Sequence, residues 1–231
     1  MIGSAAVAMW CDVDLEVKAE YDDWHAHEHM PERLSIPGFL RGSRWVSTDG
    51  RNAYFIRYEA ADLETLTSGP YLERLNNPTP WSTKMMPHHR NMVRSICRVQ
   101  AGFGAGVAQF MLTLRLAPVA GAEDRLGDWL TAELLPKLPS RQGLVSAQLL
   151  RDAARPQRNL TTEQKIRGGD ATADWIVLVN GYDAAAVDTV AAEVANDAAL
   201  AEHGAAPGSI ARVYRLAVLL TPADLHRRGR N

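Results

Sequence analysis

The stretch Asp23-Trp24-His25-Ala26-His27-Glu28-His29-Met30-Pro31-Glu32-Arg33-Leu34-Ser35-Ile36-Pro37-Gly38 decides the reading of this chain, because its pattern returns 105 residues later, ending at Gly143. Asp23/Asp128, Trp24/Trp129, Glu28/Glu133, Pro31/Pro136 and Gly38/Gly143 are identical pairs at that one offset, and Phe39-Leu40 is answered by Leu144-Val145. Five identities at a single spacing within sixteen positions mark an internal duplication, and the two halves must then share one fold.

Working outward, apolar alternation, β-branched and aromatic content and Gly/Pro punctuation give the elements. The first half reads as strand 5–13, helix 17–34, strands 38–47 and 53–59, helix 62–76 and strand 91–99. The second reads as strand 107–116, helix 122–135, strands 143–151 and 174–180, helix 184–202 and strand 209–219. Each half is β-α-β-β-α-β, the ferredoxin-like unit. The fold class is therefore α+β, with repeat one over 1–101 and repeat two over 107–222. One such unit leaves a sheet face bare, and two antiparallel sheets packed face to face as an intramolecular α/β barrel cure that exposure. The run Ala101-Gly102-Phe103-Gly104-Ala105-Gly106 reads as the linker between them. Residues 152–172 are an insertion in repeat two, where the offset jumps from 105 to 121. Arg155, Arg158, Lys165 and Arg167 make it a solvated, mobile loop by composition.

Whole-chain numbers narrow the function. The 231 residues are 46% hydrophobic and 23% charged, enough apolar side chain for a full core, with a net charge of −2. That balance provides no basic stripe to neutralise phosphates, so no nucleic-acid partner is expected. The terminal His226-Arg227-Arg228-Gly229-Arg230 run reads as a solvated tail. The apolar start lacks a basic lead and meets Asp12, Asp14 and Glu16, so it reads as a strand rather than a signal peptide. No apolar run reaches membrane length, and the two cysteines, Cys11 and Cys97, read as reduced thiols. A cytoplasmic monomer or homodimer is the resulting expectation. Dinucleotide, phosphate-loop, nucleophile-elbow and cysteine-pair metal motifs are absent.

The segment Trp24-His25-Ala26-His27-Glu28-His29-Met30-Pro31-Glu32-Arg33-Leu34, followed by Ile36-Pro37-Gly38-Phe39, resembles the Trp-x-x-x-Glu-His-x-Pro-Glu-Arg pattern of the dimeric α/β-barrel superfamily, in its EthD-like and muconolactone-isomerase-like branches. The resemblance implies two ferredoxin-like units around a cavity for a small molecule, and places His29 on the family's histidine. Cofactor-free monooxygenases, lactone isomerases, polyketide cyclases and haem enzymes share that fold, so the fold does not choose the chemistry.

Duplication also acts as an internal control. Residues common to both halves most simply serve the fold. His25 and His29, however, fall where repeat two has Leu130 and Leu134, within the stripe Leu126, Leu130, Leu134, Leu138 that marks a buried helix face. Two imidazoles should thus point inward one turn apart, along the seam between the sheets. His29 is the expected proton carrier, with His25 beside it and Glu28 or Glu32 as orienter. Arg44, Trp45 and Tyr54 on strands, with Trp81 and His88 on the proline-broken loop 76–90, are the expected substrate-binding residues. A metal is not expected, since an i, i+4 histidine pair lacks an evident third ligand. No cofactor is expected either. The chemistry anticipated is His-assisted proton transfer on a small apolar, oxygenated or aromatic molecule, of isomerase, cyclase or cofactor-free oxygenase type. The alternative is a non-catalytic carrier of a small hydrophobic ligand or a haem, which would need a cavity of matching size.

Overall fold

In the computed structural model, which describes residues 1–153 and 160–225, the first half runs β1 (Ala5–Val13), α1 (Lys18–Trp24), α2 (Met30–Leu34), β2 (Phe39–Ser47), β3 (Ala53–Ala60), α3 (Gly69–Asn76), α4 (Pro80–Met85) and β4 (His89–Gly104). The second half runs β5 (Phe110–Leu116), α5 (Glu123–Asp128), β6 (Leu144–Asp152), α6 (Thr162–Arg167), β7 (Trp175–Gly181), α7 (Ala184–Val194), α8 (Asp197–Glu202) and β8 (Ile210–Leu220). The eight strands close into one antiparallel barrel in the order β1-β3-β2-β8-β5-β7-β6-β4. Each half contributes four consecutive strands of that ring. The seams between halves are β2 with β8 and β4 with β6, so the sheets that face each other are also hydrogen-bonded along both edges. Closure removes every free sheet edge.

The second seam corrects one expectation. Residues 101–104 are not a flexible linker but the end of β4, and Ala101, Gly102, Phe103 and Gly104 pair with Leu149, Gln148, Ala147 and Ser146. Small residues fit because the strand passes close to its neighbour. A Cβ on Gly104 would lie 2.2 Å from the Val145 carbonyl oxygen, and Gly104 holds φ at 70°. The prolines of loop 76–90 likewise do not exclude a helix. Pro80 occupies the first turn of α4, where its missing N–H costs nothing, and Thr79 caps that turn by accepting from Ser82 N–H.

Strand alternation separates three cores. Ala6, Ala8, Trp10, Trp45, Phe55, Cys97, Met111, Leu150, Ile176, Leu178 and Tyr214 fill the barrel from both halves. Val7, Ile56 and Tyr58 face outward onto α1 and α2, and Leu114, Leu149 and Val177 face outward onto the helices of the second half. Both cysteines are free and buried. Among the described residues, no helix is long and apolar enough to cross a membrane. The His226–Arg230 tail and Arg155 and Arg158 lie outside the described residues.

The packed interior has a measurable consequence. Phe55→Ala should cost about 3–5 kcal/mol in urea unfolding, as for other buried aromatic truncations. Trp45→Phe should be close to neutral, because it also removes an indole N–H that is buried without an acceptor. Equal losses for the two variants would contradict this packing.

Candidate functional site

Between α1 and α2 the chain makes one wide π-type turn, His25–His29, and Trp129–Leu134 repeats it at the equivalent place in the second half. An inserted residue of this kind re-aims the side chains that follow, and such turns occur often at functional sites. Here the wide turn directs His25 and His29 onto the outer face of the first sheet. They are buried as the leucine stripe predicts, but beneath the helices of repeat one. The space between the two sheets is filled by other side chains. The expectation that these imidazoles line the seam is therefore corrected: a helix packed on the outside of a barrel sends its buried stripe to the sheet's outer face.

The enclosed cavity there has a volume of about 30 Å³ and is walled by Met9, Tyr21, Trp24, Ile56, Tyr58 and Tyr71, together with the polar groups of His25, His29, Arg33, His89, Arg94, Glu163 and Arg167. The His29 ring packs on Trp24 with centroids 4.6 Å apart, and the His25 and His29 rings lie 5.7 Å apart. His25 Nε2 is 3.2 Å from the Tyr58 hydroxyl. The Nδ1 atoms of His25 and His29 are buried without a hydrogen-bond partner. Burial first, then the cations Arg44 and Arg33 respectively, push both pKa values well below the ordinary histidine value, so both rings are neutral at pH 7.

His89 completes the imidazole set. Its Nδ1 faces the Met86 carbonyl at 3.0 Å, which can only accept, so Nδ1 carries the proton. The bare Nε2 accepts from Tyr21 O–H at 3.1 Å, and the tyrosine oxygen meets Cys11 Sγ at 3.8 Å. Burial and Arg167 lower the His89 pKa to about 4, and burial raises the Cys11 thiol to about 12. The chain Cys11–Tyr21–His89 is thus uncharged at neutral pH.

Charge enters from the other repeat. The insertion is not wholly a solvated loop. Residues 160–172 include α6, whose start is closed by a reciprocal cap between Thr161 and Gln164. Glu163 of α6 accepts from Arg33, and Arg167 lies 3.5 Å from Glu163 and 3.0 Å from Asp170, with these side chains almost wholly buried. Beyond the helix, Ala171 bonds to the backbone of Met92 and Arg94. Repeat two therefore covers the cavity of repeat one. Arg94 donates to Tyr71 O–H at 2.8 Å on the same wall.

The remaining expected site residues lie elsewhere. Glu28 turns away from the cavity and accepts from the Thr79 hydroxyl, a helix-to-helix tie. Arg44 donates to the Asp22 carbonyl at 2.8 Å and is not part of the wall, where the guanidiniums are those of Arg33, Arg94 and Arg167. Trp45 is inside the barrel. Tyr54 donates to Asp22 Oδ1 at 2.9 Å and borders the barrel mouth. Trp81 donates to Glu20 at 3.2 Å, and His88 pairs with Asp14 at 3.1 Å near the surface. Sequence reasoning missed Tyr21, Tyr58, Tyr71, Arg33, His89, Arg94, Glu163 and Arg167 as members of one site. Alternation along β3 puts Tyr58 on the same face as Ile56, and this is the one signal in the sequence that bears on any of them.

No family model and no curated protein matches this chain. Solved structures do. An anthrone oxidase-like protein is 12% identical, with 95% of this chain and 93% of that chain covered at a TM-score of 0.67. A "putative monooxygenase" from Fusobacterium nucleatum subsp. nucleatum ATCC 25586 is 9% identical, with 96% of each chain covered and a TM-score of 0.60. Its counterpart from Lactobacillus acidophilus NCFM is 10% identical, with 95% and 97% covered and a TM-score of 0.59. At identities this low the likeness shows the fold alone, an α+β barrel of eight antiparallel strands built from two ferredoxin-like halves in one polypeptide. A cavity of about 30 Å³ has room for roughly two waters and does not fit a haem. Among the described residues, no group of three or more His, Cys, Asp or Glu is placed to hold a metal ion.

Two measurements check this description. Glu163→Ala should lower stability by about 3–5 kcal/mol, because it removes a buried partner from both Arg33 and Arg167 and leaves Arg33 only Glu32 at 3.2 Å. Stability should also fall with acid. Below pH 6.5 the unfolded chain binds protons at His25, His29 and His89 that the folded chain refuses, so each contributes a loss of about 1.4 kcal/mol per pH unit. Urea midpoints at descending pH should decline from the neutral plateau, and a double variant His25→Gln/His29→Gln should flatten that decline.

Proposed function

We propose that the chain is an enzyme acting on a small oxygenated or aromatic carbon acid, and that His29 removes the proton. The observation that carries this reading is a pair of neutral imidazoles with unpartnered Nδ1 atoms, beside a buried guanidinium in an enclosed cavity. A neutral imidazole accepts a proton without first losing one, and burial keeps His29 in that form at pH 7 at the cost of weaker basicity. Removal of a proton next to a carbonyl or on a phenol places negative charge on the substrate oxygen. Arg33, aided by the Tyr58 hydroxyl, supplies donors for that oxygen from a water-poor site. His25, held by Tyr58, sits next to His29 with its ring centroid 5.7 Å away and adds no charge there while it stays neutral. Proton abstraction of this kind is the opening step shared by isomerase, cyclase and cofactor-free oxygenase chemistry. The names of the structural neighbours, anthrone oxidase-like and monooxygenase, agree with that class.

The cavity has room for waters rather than for a substrate, so entry requires the cover to lift. Segment 160–172 forms that cover, held to repeat one by the Arg33–Glu163 pair, by Ile166 in the apolar core, by the Asn76 side chain and by backbone bonds at Ala171. Water leaves when the substrate enters, which strengthens the Arg33 interaction. A carrier of hydrophobic ligands would not need three imidazoles at its wall, and each costs stability on the acid side.

Solvent exchange tests the proposal without knowledge of the product. Wild-type protein in D2O should catalyse deuterium incorporation next to the carbonyl of cyclic ketones, lactones or anthrone-type phenols, followed by proton NMR. His29→Gln should slow exchange by about 100-fold, while His27→Gln, on the exposed face, should not. Exchange that survives His29→Gln unchanged would remove His29 from the reaction.

A further inference from the structure

A second cavity opens where β1 and β5 end and β3 and β8 begin, at one mouth of the barrel and apart from the helix-covered site. Its volume is about 340 Å³, within the range of small-ligand sites of about 300–1,000 Å³, and its wall includes Trp10, Arg51, Val93, Arg115, Ile210 and Arg212. Alternation explains the cluster. Arg115 follows Met111 and Thr113 on the inward face of β5, and Arg212 pairs with Thr113 across the ladder. Both guanidiniums are therefore directed into the barrel rather than to the outside.

Arg115 is the unusual member. Its guanidinium lies over the Trp10 ring at 5.0 Å, and it makes no hydrogen bond or ion pair with any described residue. None of its nitrogens is sealed from solvent, so its donors open onto the cavity. A partly buried cation with five unused donors in a fixed fork is matched by a carboxylate. Arg212 adds to the positive field, because Asp49 is shared: its Oδ2 is 3.7 Å from Arg212 Nε and 3.4 Å from Arg51 Nε. The remaining wall sets the shape and charge of the ligand. Trp10, Val93 and Ile210 offer an apolar slot, and Asp12, held by Asn91 at 2.7 Å, disfavours a second negative charge.

We propose that this barrel mouth binds a planar organic monoanion of the aromatic carboxylate class, with Arg115 and Arg212 taking the carboxylate and Trp10, Val93 and Ile210 the ring. The site is independent of the proton-transfer reading, since it shares no residue with that cavity.

Calorimetric titration with benzoate tests it, with benzyl alcohol as the neutral counterpart and inorganic phosphate as the compact anion. Wild-type protein should bind benzoate saturably, and both comparison compounds at least about tenfold more weakly. Arg115→Met should weaken benzoate by about tenfold or more, Arg212→Met should weaken it less, and His29→Gln should leave it unchanged. Near-UV circular dichroism identifies a variant that fails to fold, and the other arginine variant then carries the test. Absence of saturable benzoate binding up to about 10 mM overturns the proposal. So does equal binding of benzyl alcohol or phosphate, or benzoate binding that depends on His29 and not on either arginine.

Discussion

A ferredoxin-like sheet has helices on one face only, and the other face must be taken out of water. In this chain the duplicated half supplies the cover, and hydrogen bonding along β2–β8 and β4–β6 turns two covered faces into a closed barrel. Most other features follow from that closure. The interior becomes a shared core in which Trp10, Trp45, Phe55 and Tyr214 meet, so little room remains there for a ligand except at the mouth. Polar groups gather in the layer between helix and sheet, where each repeat can depart from the other without breaking the barrel.

The two repeats have departed in that layer by exchanging apolar for polar groups. Leu130 is fully buried in the apolar core of repeat two, where repeat one has His25 with a tyrosine and an unpartnered nitrogen. The substitution costs stability, because a buried imidazole must remain neutral and partly unsatisfied. Buried polar groups of this kind persist where function requires them, and the surrounding aromatic rings, Trp24 and Tyr21 above all, hold the imidazoles in place. The insertion in repeat two then brings Glu163 and Arg167 across to close the cavity, so the site is assembled from both repeats although its imidazoles belong to one.

The same reasoning accounts for where sequence inference stopped. Periodicity located the buried helix face through Leu126, Leu130 and Leu138, and the offset carried that assignment to His25 and His29. Periodicity does not say which surface the face meets. His88 and His89 are adjacent, yet His89 enters the cavity while His88 pairs near the surface with Asp14, because β4 begins between them and alternation takes over. The motif marks Glu28 as an orienter, but the wide turn directs it to Thr79 instead.

The amino-acid sequence by itself determined the duplication, the order of strands and helices, the barrel-forming need of two half-covered sheets, and the burial of His25 and His29. These depend on short-range patterns, namely a 105-residue offset and periods of two and 3.6, which the linear chain carries openly. Tertiary structure alone decided that the imidazoles lie outside the barrel wall, that Arg33 and not Arg44 accompanies them, and that Glu163, 130 residues from Arg33, closes over them. Convergence of that kind depends on the register and twist of the closed sheet, which no local pattern encodes.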